Sequence, residues 1–427
     1  MKLILTKALP VIQGATFAFL LPTISILSTS FDSCQTYDYA NLTNIEKDEI
    51  WMTRMRAVQG AVTVASVTEV LIGLTGKLVG YLAHWITPLT IVPTITLMGL
   101  SLFRAAAEEA ATHWGISIMT AAFFVIIITI TISWAICVIL TVFEVFPKDS
   151  EARTDSKIPL IRSSPWFYVP YPFQWGFITV SAAGVIGMIA GVLSSIVESI
   201  GDYYACSHLT VYYMMHLIII LCLNSDISTH FKDEGKSGPL PDHALNRGIF
   251  IEGIGCVIAG IIGTGNGTTT YSTNIPALRI TKVCYIFSRH VASRRVIQVA
   301  AIFMIICGVC TKFSSIFISI PNPVVGGIFL IMFGIIASVG LSNLQVIDLN
   351  SSRNIFILGV SLFIGLAIPE WLQNNPGSIQ TGSPVADQVL LVLLKTSMFV
   401  GGVMGLFLDN TVPVKVLVLV IIISGRV

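Results

Sequence analysis

Residues able to do chemistry gather at three places in the chain. The first is the run Gly263-Thr264-Gly265-Asn266-Gly267-Thr268-Thr269-Thr270-Tyr271-Ser272-Thr273-Asn274, set between apolar stretches. Its glycines and hydroxyl residues make a poor continuous helix. At membrane depth, non-helical backbone is tolerated only where it lines a cavity or is buried in protein. Such a segment frees N–H groups and a half-helix dipole to meet a polar ligand. A re-entrant loop of purely structural purpose is the competing reading. The second place is Glu198 with Asp202, four residues apart and therefore on one helix face. A carboxylate inside a membrane is costly unless paired or hydrated, which makes both residues candidates for ligand or ion contact. Snorkelling at a helix end is the alternative. The third is Gln13-Gly14-Ala15-Thr16-Phe17-Ala18-Phe19, closed by Pro22, which reads as a second broken segment. Broken spans at matching places in two halves point to inverted repeats with a site between them.

The elements that carry these residues must lie in a bilayer. Of 427 residues, 54% are hydrophobic and only 11% charged. A soluble domain carries about 25% charged residues. With 24 basic and 23 acidic residues the chain cannot build a polar skin, which excludes a soluble enzyme. A net charge of +1 gives no footprint for nucleic acid. Long charge-free windows such as Ala110–Phe143, Ser163–Val197 and Phe313–Ile347 do not alternate, so they are helices rather than barrel strands. Hydropathy predicts about ten to twelve spans. Single continuous spans are expected at Arg56–Leu82, Trp175–Ile200, Val296–Ile318 and Val389–Leu408. Gly115–Phe143 is too long for one span and too short for two with a turn.

Ser30–Arg56 reads as a polar extracytoplasmic loop, with the sequon Asn41-Leu42-Thr43 as a glycosylation site. Basic residues Lys282, Arg289, Arg294 and Arg295 place the 282–295 turn on the cytoplasmic side. Glu69, Glu252 and Lys312 lie in or near spans and read equally as interior pairs, anchors or functional groups. His113 reads as interfacial. Cys307-x-x-Cys310 sits in an apolar run, where small buried hydrophobes are expected rather than a metal or redox pair. No Ser/His/Asp set, P-loop or dinucleotide fingerprint occurs, so neither catalytic residues nor a metal site nor a cofactor is expected. No cleavable signal peptide is evident, and no filter-like repeat supports a channel.

The residues resemble those of the nucleobase–ascorbate transporter family. The likeness runs through Ser195–Ala205, His243–Gly248, Gly263–Thr269, Asn274 to Lys282, Ile320–Gly327, Gly340–Arg353 and Met398–Pro413. It implies an all-α polytopic membrane fold of two inverted seven-span repeats forming a core and a gate domain. Two half-strand, half-helix segments would meet at the substrate, here Gly14–Pro22 and Thr268–Thr281. It implies core residues 1–83 and 175–318, and gate residues 84–174 and 319–427. Glu198 matches the family's substrate-contacting acid. Phe17, Ala18, Phe19, Thr273 and Asn274 fall at the substrate by the same match. Asp202, Asn266, Thr270 and Gln13 would line the cavity or take part in ion coupling. The implied activity is secondary transport of ascorbate or a nucleobase, with sodium or a proton as coupling cation, by alternating access at the plasma membrane. A homodimer is compatible with it.

Departures from the family pattern accompany the likeness. Thr273, Pro276 and Arg279 replace the usual residues of the signature motif. By resemblance the chain opens at the third span, residues 115–143 join two spans, and residues 209–233 and 284–291 are inserted. Those departures imply a chain that carries out no saturable uptake, because Glu198 and the 265–274 backbone would lack polar partners.

Overall fold

The computed structural model describes residues 13–32, 36–38, 42–76, 79, 81, 85–122, 126–221, 242–271, 294–375 and 377–413. Within them the chain is helical apart from two short strands and the connections. Among the described residues, six helices are long and apolar enough to cross a membrane, and a bent pair makes a seventh candidate. Three shorter apolar helices accompany them. The expected ten to twelve spans are counted over the whole sequence, and these helices over the described residues alone. Hydropathy registers an apolar stretch whether or not its helix is continuous, and several stretches here are broken.

The chain divides into two compact units. The first comprises Met1–Ile95, Pro172–Ile297 and Val339–Val427. In it, strand β1 (Gln13–Ala15) leads into α1 (Phe17–Ser30), which carries Pro22. Helix α2 spans Asn44–Thr75. It starts twelve residues before the expected Arg56 because Thr43 and Glu46 form a capping box. The Thr43 amide bonds the Glu46 carboxylate at 2.8 Å, and the Glu46 amide reaches Thr43 Oγ1 at 3.4 Å. The expected loop Ser30–Arg56 is therefore helical over about its last half, from Asn44 on.

Helix α3 (Pro88–Leu100) begins in the first unit and ends in the second. The second unit comprises Thr96–Tyr171 and Gln298–Ser338. It contains α4 (Phe103–Ala111), α5 (Trp114–Ala122), α6 (Ile126–Val142) and the short α7 (Ile158–Ser163). The Gly115–Phe143 stretch is thus two helices. Ile116, Cys137, Phe146, Ala152, Ile320 and Val324 form this unit's buried cluster.

Back in the first unit, α8 runs from Ala182 to Leu221, so it begins seven residues after the expected Trp175 and continues past the expected Ile200. Helix α9 (Asp242–Ile262) ends before strand β2 (Thr268–Thr270). Helices α2 and α9 pack antiparallel in one steady register. A Cβ on Gly73 would strike the Phe250 backbone, one on Gly253 would lie 2.7 Å from Val70 N, and one on Gly260 would strike Thr63. These three glycines allow the two backbones to touch.

The expected span Val296–Ile318 is broken. In the second unit α10 (Arg294–Val309) stops at Cys310, and α11 (Thr311–Ile318) follows. Cys310 is extended and forms an antiparallel bridge with Phe167. The Tyr168 amide donates to Val309 O at 3.0 Å and the Thr311 amide to Trp166 O at 3.1 Å. Helix α12 (Asn322–Ser342) completes this unit up to Ser338, its last turn falling in the first. The first unit ends with α13 (Ser352–Asn374), α14 (Pro384–Lys395) and α15 (Ser397–Thr411). The last two bend by 81° at Thr396, so the expected span Val389–Leu408 is also broken. No proline marks either break, and the single Gly308 before Cys310 is a weak signal inside an apolar run, which is why periodicity passes over them.

Candidate functional site

The two broken segments of the first unit meet. Strands β1 and β2 pair antiparallel with Gln13 opposite Thr270, Gly14 opposite Thr269 and Ala15 opposite Thr268. Three residues per strand satisfy the backbone polar groups that interrupted helices would leave open. Beside this crossing runs α8, which brings its carboxylates to the strands.

Thr16 joins the first half-segment to α8. It caps α1, its Oγ1 accepting from Ala18 N at 3.0 Å. The same hydroxyl donates to Glu198 Oε2 at 3.4 Å. The positive end of the α1 dipole therefore faces this carboxylate. Glu198 is 4% exposed and Asp202 1%, which excludes snorkelling for both. The expectation that Glu198 and the 265–274 backbone would lack partners fails for Glu198 and for the described strand residues.

The second half-segment supplies three consecutive threonines, each with its own partner. Thr268 exchanges bonds with Cys256: its amide donates to Sγ at 3.1 Å, and the thiol lies 2.9 Å from Thr268 O. Thr269 Oγ1 donates to Glu252 Oε1. Thr270 Oγ1 donates to Asp202 Oδ2 at 2.8 Å. Ser199 lies within 2.7 Å of both Glu252 oxygens, 2.9 Å from Thr269 Oγ1 and 3.1 Å from Thr270 Oγ1. Tyr203 completes the cluster with its hydroxyl 3.5 Å from Glu252 Oε2.

A hydroxyl owns one proton. Thr270 cannot donate to Asp202 and Ser199 at once, nor Ser199 to both Glu252 oxygens. The cluster therefore has more acceptor contacts than protons, and its hydrogen bonds can be redistributed when a polar ligand, proton or cation arrives.

Not every candidate enters this cluster. Ala18 and Phe19 are fully buried in the first turn of α1, and the Phe19 ring lies where a Cβ on Gly267 would meet it at 2.7 Å. Phe17 begins that helix and is half-buried. Gln13 is placed by its backbone, opposite Thr270. Asn266 sits in the turn before β2, where its carbonyl accepts from Thr264 Oγ1 at 2.8 Å. Thr273, Asn274, Pro276, Arg279 and the sequon residue Asn41 lie outside the described residues. Sequence reasoning left Glu252 undecided and passed over Ser199, Thr269 and Tyr203. A single acid in the apolar run 248–264 was the available signal for Glu252.

Comparison with known proteins bears on this crossing. A family model described as the permease family matches residues 1–125 and 116–374. The chain belongs to that family. Relatives of this permease-family chain include human solute carrier family 23 member 2, 46% identical over 448 aligned positions, covering 95% of this chain and 63% of the relative. Mouse solute carrier family 23 member 1 is 43% identical, covering 95% of this chain and 68% of its own length. Nucleobase-ascorbate transporter 2 of Arabidopsis thaliana is 32% identical, again over 95% of this chain and 75% of its own. The chain thus spans less than two thirds of the human relative it matches.

Proposed function

We propose that the chain is a secondary active transporter of ascorbate or a nucleobase, driven by sodium or protons. The observation that carries the reading is Glu198, buried against the capped start of α1 in the same unit as the β1–β2 crossing. Both candidate substrates are planar, polar and rich in hydrogen-bond donors and acceptors. A buried carboxylate takes their N–H or O–H donors, and the freed N–H groups of a half-helix take their oxygens. Thr273 and Asn274 follow β2 in sequence and complete the half-site in this reading. Asp202, held by Thr270, and Glu252, held by Ser199 and Thr269, respond to the coupling ion through the redistributable hydroxyls. Alternating access moves core residues 1–83 and 175–318 against gate residues 84–174 and 319–427. The plasma membrane is the expected location, with Asn41 outside and the 282–295 turn inside.

The test is uptake of radiolabelled ascorbate and of uracil by cells expressing the unmodified chain, with and without sodium. Saturable, cation-dependent uptake of one of them supports the proposal. Surface-expressed chain with no uptake of either would favour a non-transporting member, as the altered signature residues Thr273, Pro276 and Arg279 imply. An endoglycosidase shift lost in Asn41→Gln, together with antibody access to a 282–295 tag only after permeabilisation, would support the topology.

A further inference from the structure

We infer that Trp175 is a positioning residue: it holds the end of α9 and thereby sets where β2 meets the carboxylates. The inference rests on the transport reading for its kinetic consequence but not for its structural one.

The last carbonyls of a helix have no partner within it. At the end of α9 two of them, and the carbonyl of Gly263 just beyond, are met from outside. Gln59 Nε2 donates to Gly260 O at 3.4 Å, Phe173 N to Ile261 O at 2.9 Å and Trp175 Nε1 to Gly263 O at 2.8 Å. Two of these donors belong to the turn segment that precedes α8, closed by Gly176 N on Phe173 O at 2.9 Å. That segment is itself fastened to α2, because Thr179 N donates to Arg56 O at 3.2 Å and a Cβ on Gly60 would strike Thr179 O. Trp51 of α2 packs edge-on against Trp175, with ring centroids 5.0 Å apart. The indole is therefore held on one side by α2 while its N–H holds Gly263 on the other.

Gly263 is the point where α9 turns into the strand. Its φ is +86° and that of Gly265 is +73°, a left-handed region open to glycine. A turn built from two such residues has little stiffness of its own, since glycine gains nothing from side-chain packing. Gly263 O is anchored to Trp175, outside α9, while the Thr264 amide at Ala259 O and Thr268 at Cys256 tie the turn back to α9 itself. A donor at Gly263 O fixes the origin from which Thr269 and Thr270 are measured to Glu252 and Asp202.

Trp175→Phe removes the N–H and keeps an aromatic ring. Losing a hydrogen bond to a buried carbonyl corresponds to a change of roughly five- to tenfold. In the unmodified full chain this variant is expected to raise the KM for uptake by about that factor, with the maximal rate per surface molecule little changed. A merely structural role would reduce the number of molecules at the surface and leave KM alone. Trp51→Phe, which keeps both an aromatic edge and the Trp175 donor, is expected to leave KM within about twofold. Amide hydrogen exchange on the detergent-solubilised chain gives a readout independent of transport. Exchange over residues 263–270 should quicken by roughly five- to tenfold in Trp175→Phe, while 352–374 stays as in wild type. If wild-type chain shows no uptake but this local change in exchange occurs, the transport reading fails and the positioning role stands. Unchanged exchange over 263–270, or a uniform rise across both regions, would overturn it.

Discussion

Two broken spans in this protein are built from opposite materials. The crossing of β1 and β2 is surrounded by acceptors: Glu198, Asp202 and Glu252, each buried and each met by a hydroxyl. The break at Cys310 is surrounded by donors. Lys312 Nζ donates to Ile161 O and Arg162 O and stands 5.9 Å from the Trp166 ring, while nearby Lys157 Nζ donates to Ile320 O at 3.0 Å and Asn322 Oδ1 at 2.7 Å. At Cys310 the Val309 carbonyl is matched by the Tyr168 amide, and both nearby ammonium groups are taken up by carbonyl oxygens. At the crossing, protons are fewer than acceptor contacts. An interrupted helix is therefore not in itself a site. What distinguishes a site is whether the groups around the interruption are saturated.

Substitutions can break that contrast. The largest effect is expected from Glu198→Gln, which should reduce uptake by about 100-fold or more at unchanged surface expression, as losing a charged hydrogen-bonding partner implies. Transport at the wild-type rate in this variant would remove the acid from the site. Ser199→Ala takes a donor from Glu252 while leaving the backbone alone, and should weaken apparent affinity by about 5- to 30-fold. Thr16→Ala removes both the α1 cap and the donor to Glu198. Caps contribute about 1 kcal/mol, so an affinity loss near fivefold is expected, read as KM in uptake. Lys312→Met sharpens the comparison from the other side. It should lower the melting temperature in detergent by about 2–4 °C and leave KM where it was. A KM shift in Lys312→Met comparable to that of Ser199→Ala would show that the Cys310 break belongs to the site after all.

The parts visible from sequence were those with local signatures. Glycines and threonines at 263–274, and Gln13 to Pro22 closing on a proline, announced interrupted helices. The four-residue spacing of Glu198 and Asp202 announced a shared face. The start of α2 was missed by twelve residues: Thr43-x-x-Glu46 is a capping box, but the charged residues after it read as loop. What stayed hidden was long-range. Ser199 meets Glu252 across 53 positions, and Gln13 faces Thr270 across far more. The break at Cys310 is met by distant partners, Trp166 to Tyr168, which sequence periodicity does not record, and no proline announces the bend at Thr396.

The strand Thr268-Thr269-Thr270 poses a problem of degeneracy. Three identical residues would look the same to a partner strand after sliding by one position, and a hydroxyl would still face each acid. The neighbours of the run remove the ambiguity. Gly14 of β1 leaves the hollow that the Tyr271 ring fills, and Gly267, just before β2, leaves the hollow for the Phe19 ring. Each side of the crossing thus carries one tooth and one notch, and the pattern is reciprocal. A slip by a single residue would drive a ring into a backbone that has no room for it. The crossing is keyed like a lock with two wards, so its hydroxyls can trade protons freely while its register cannot drift.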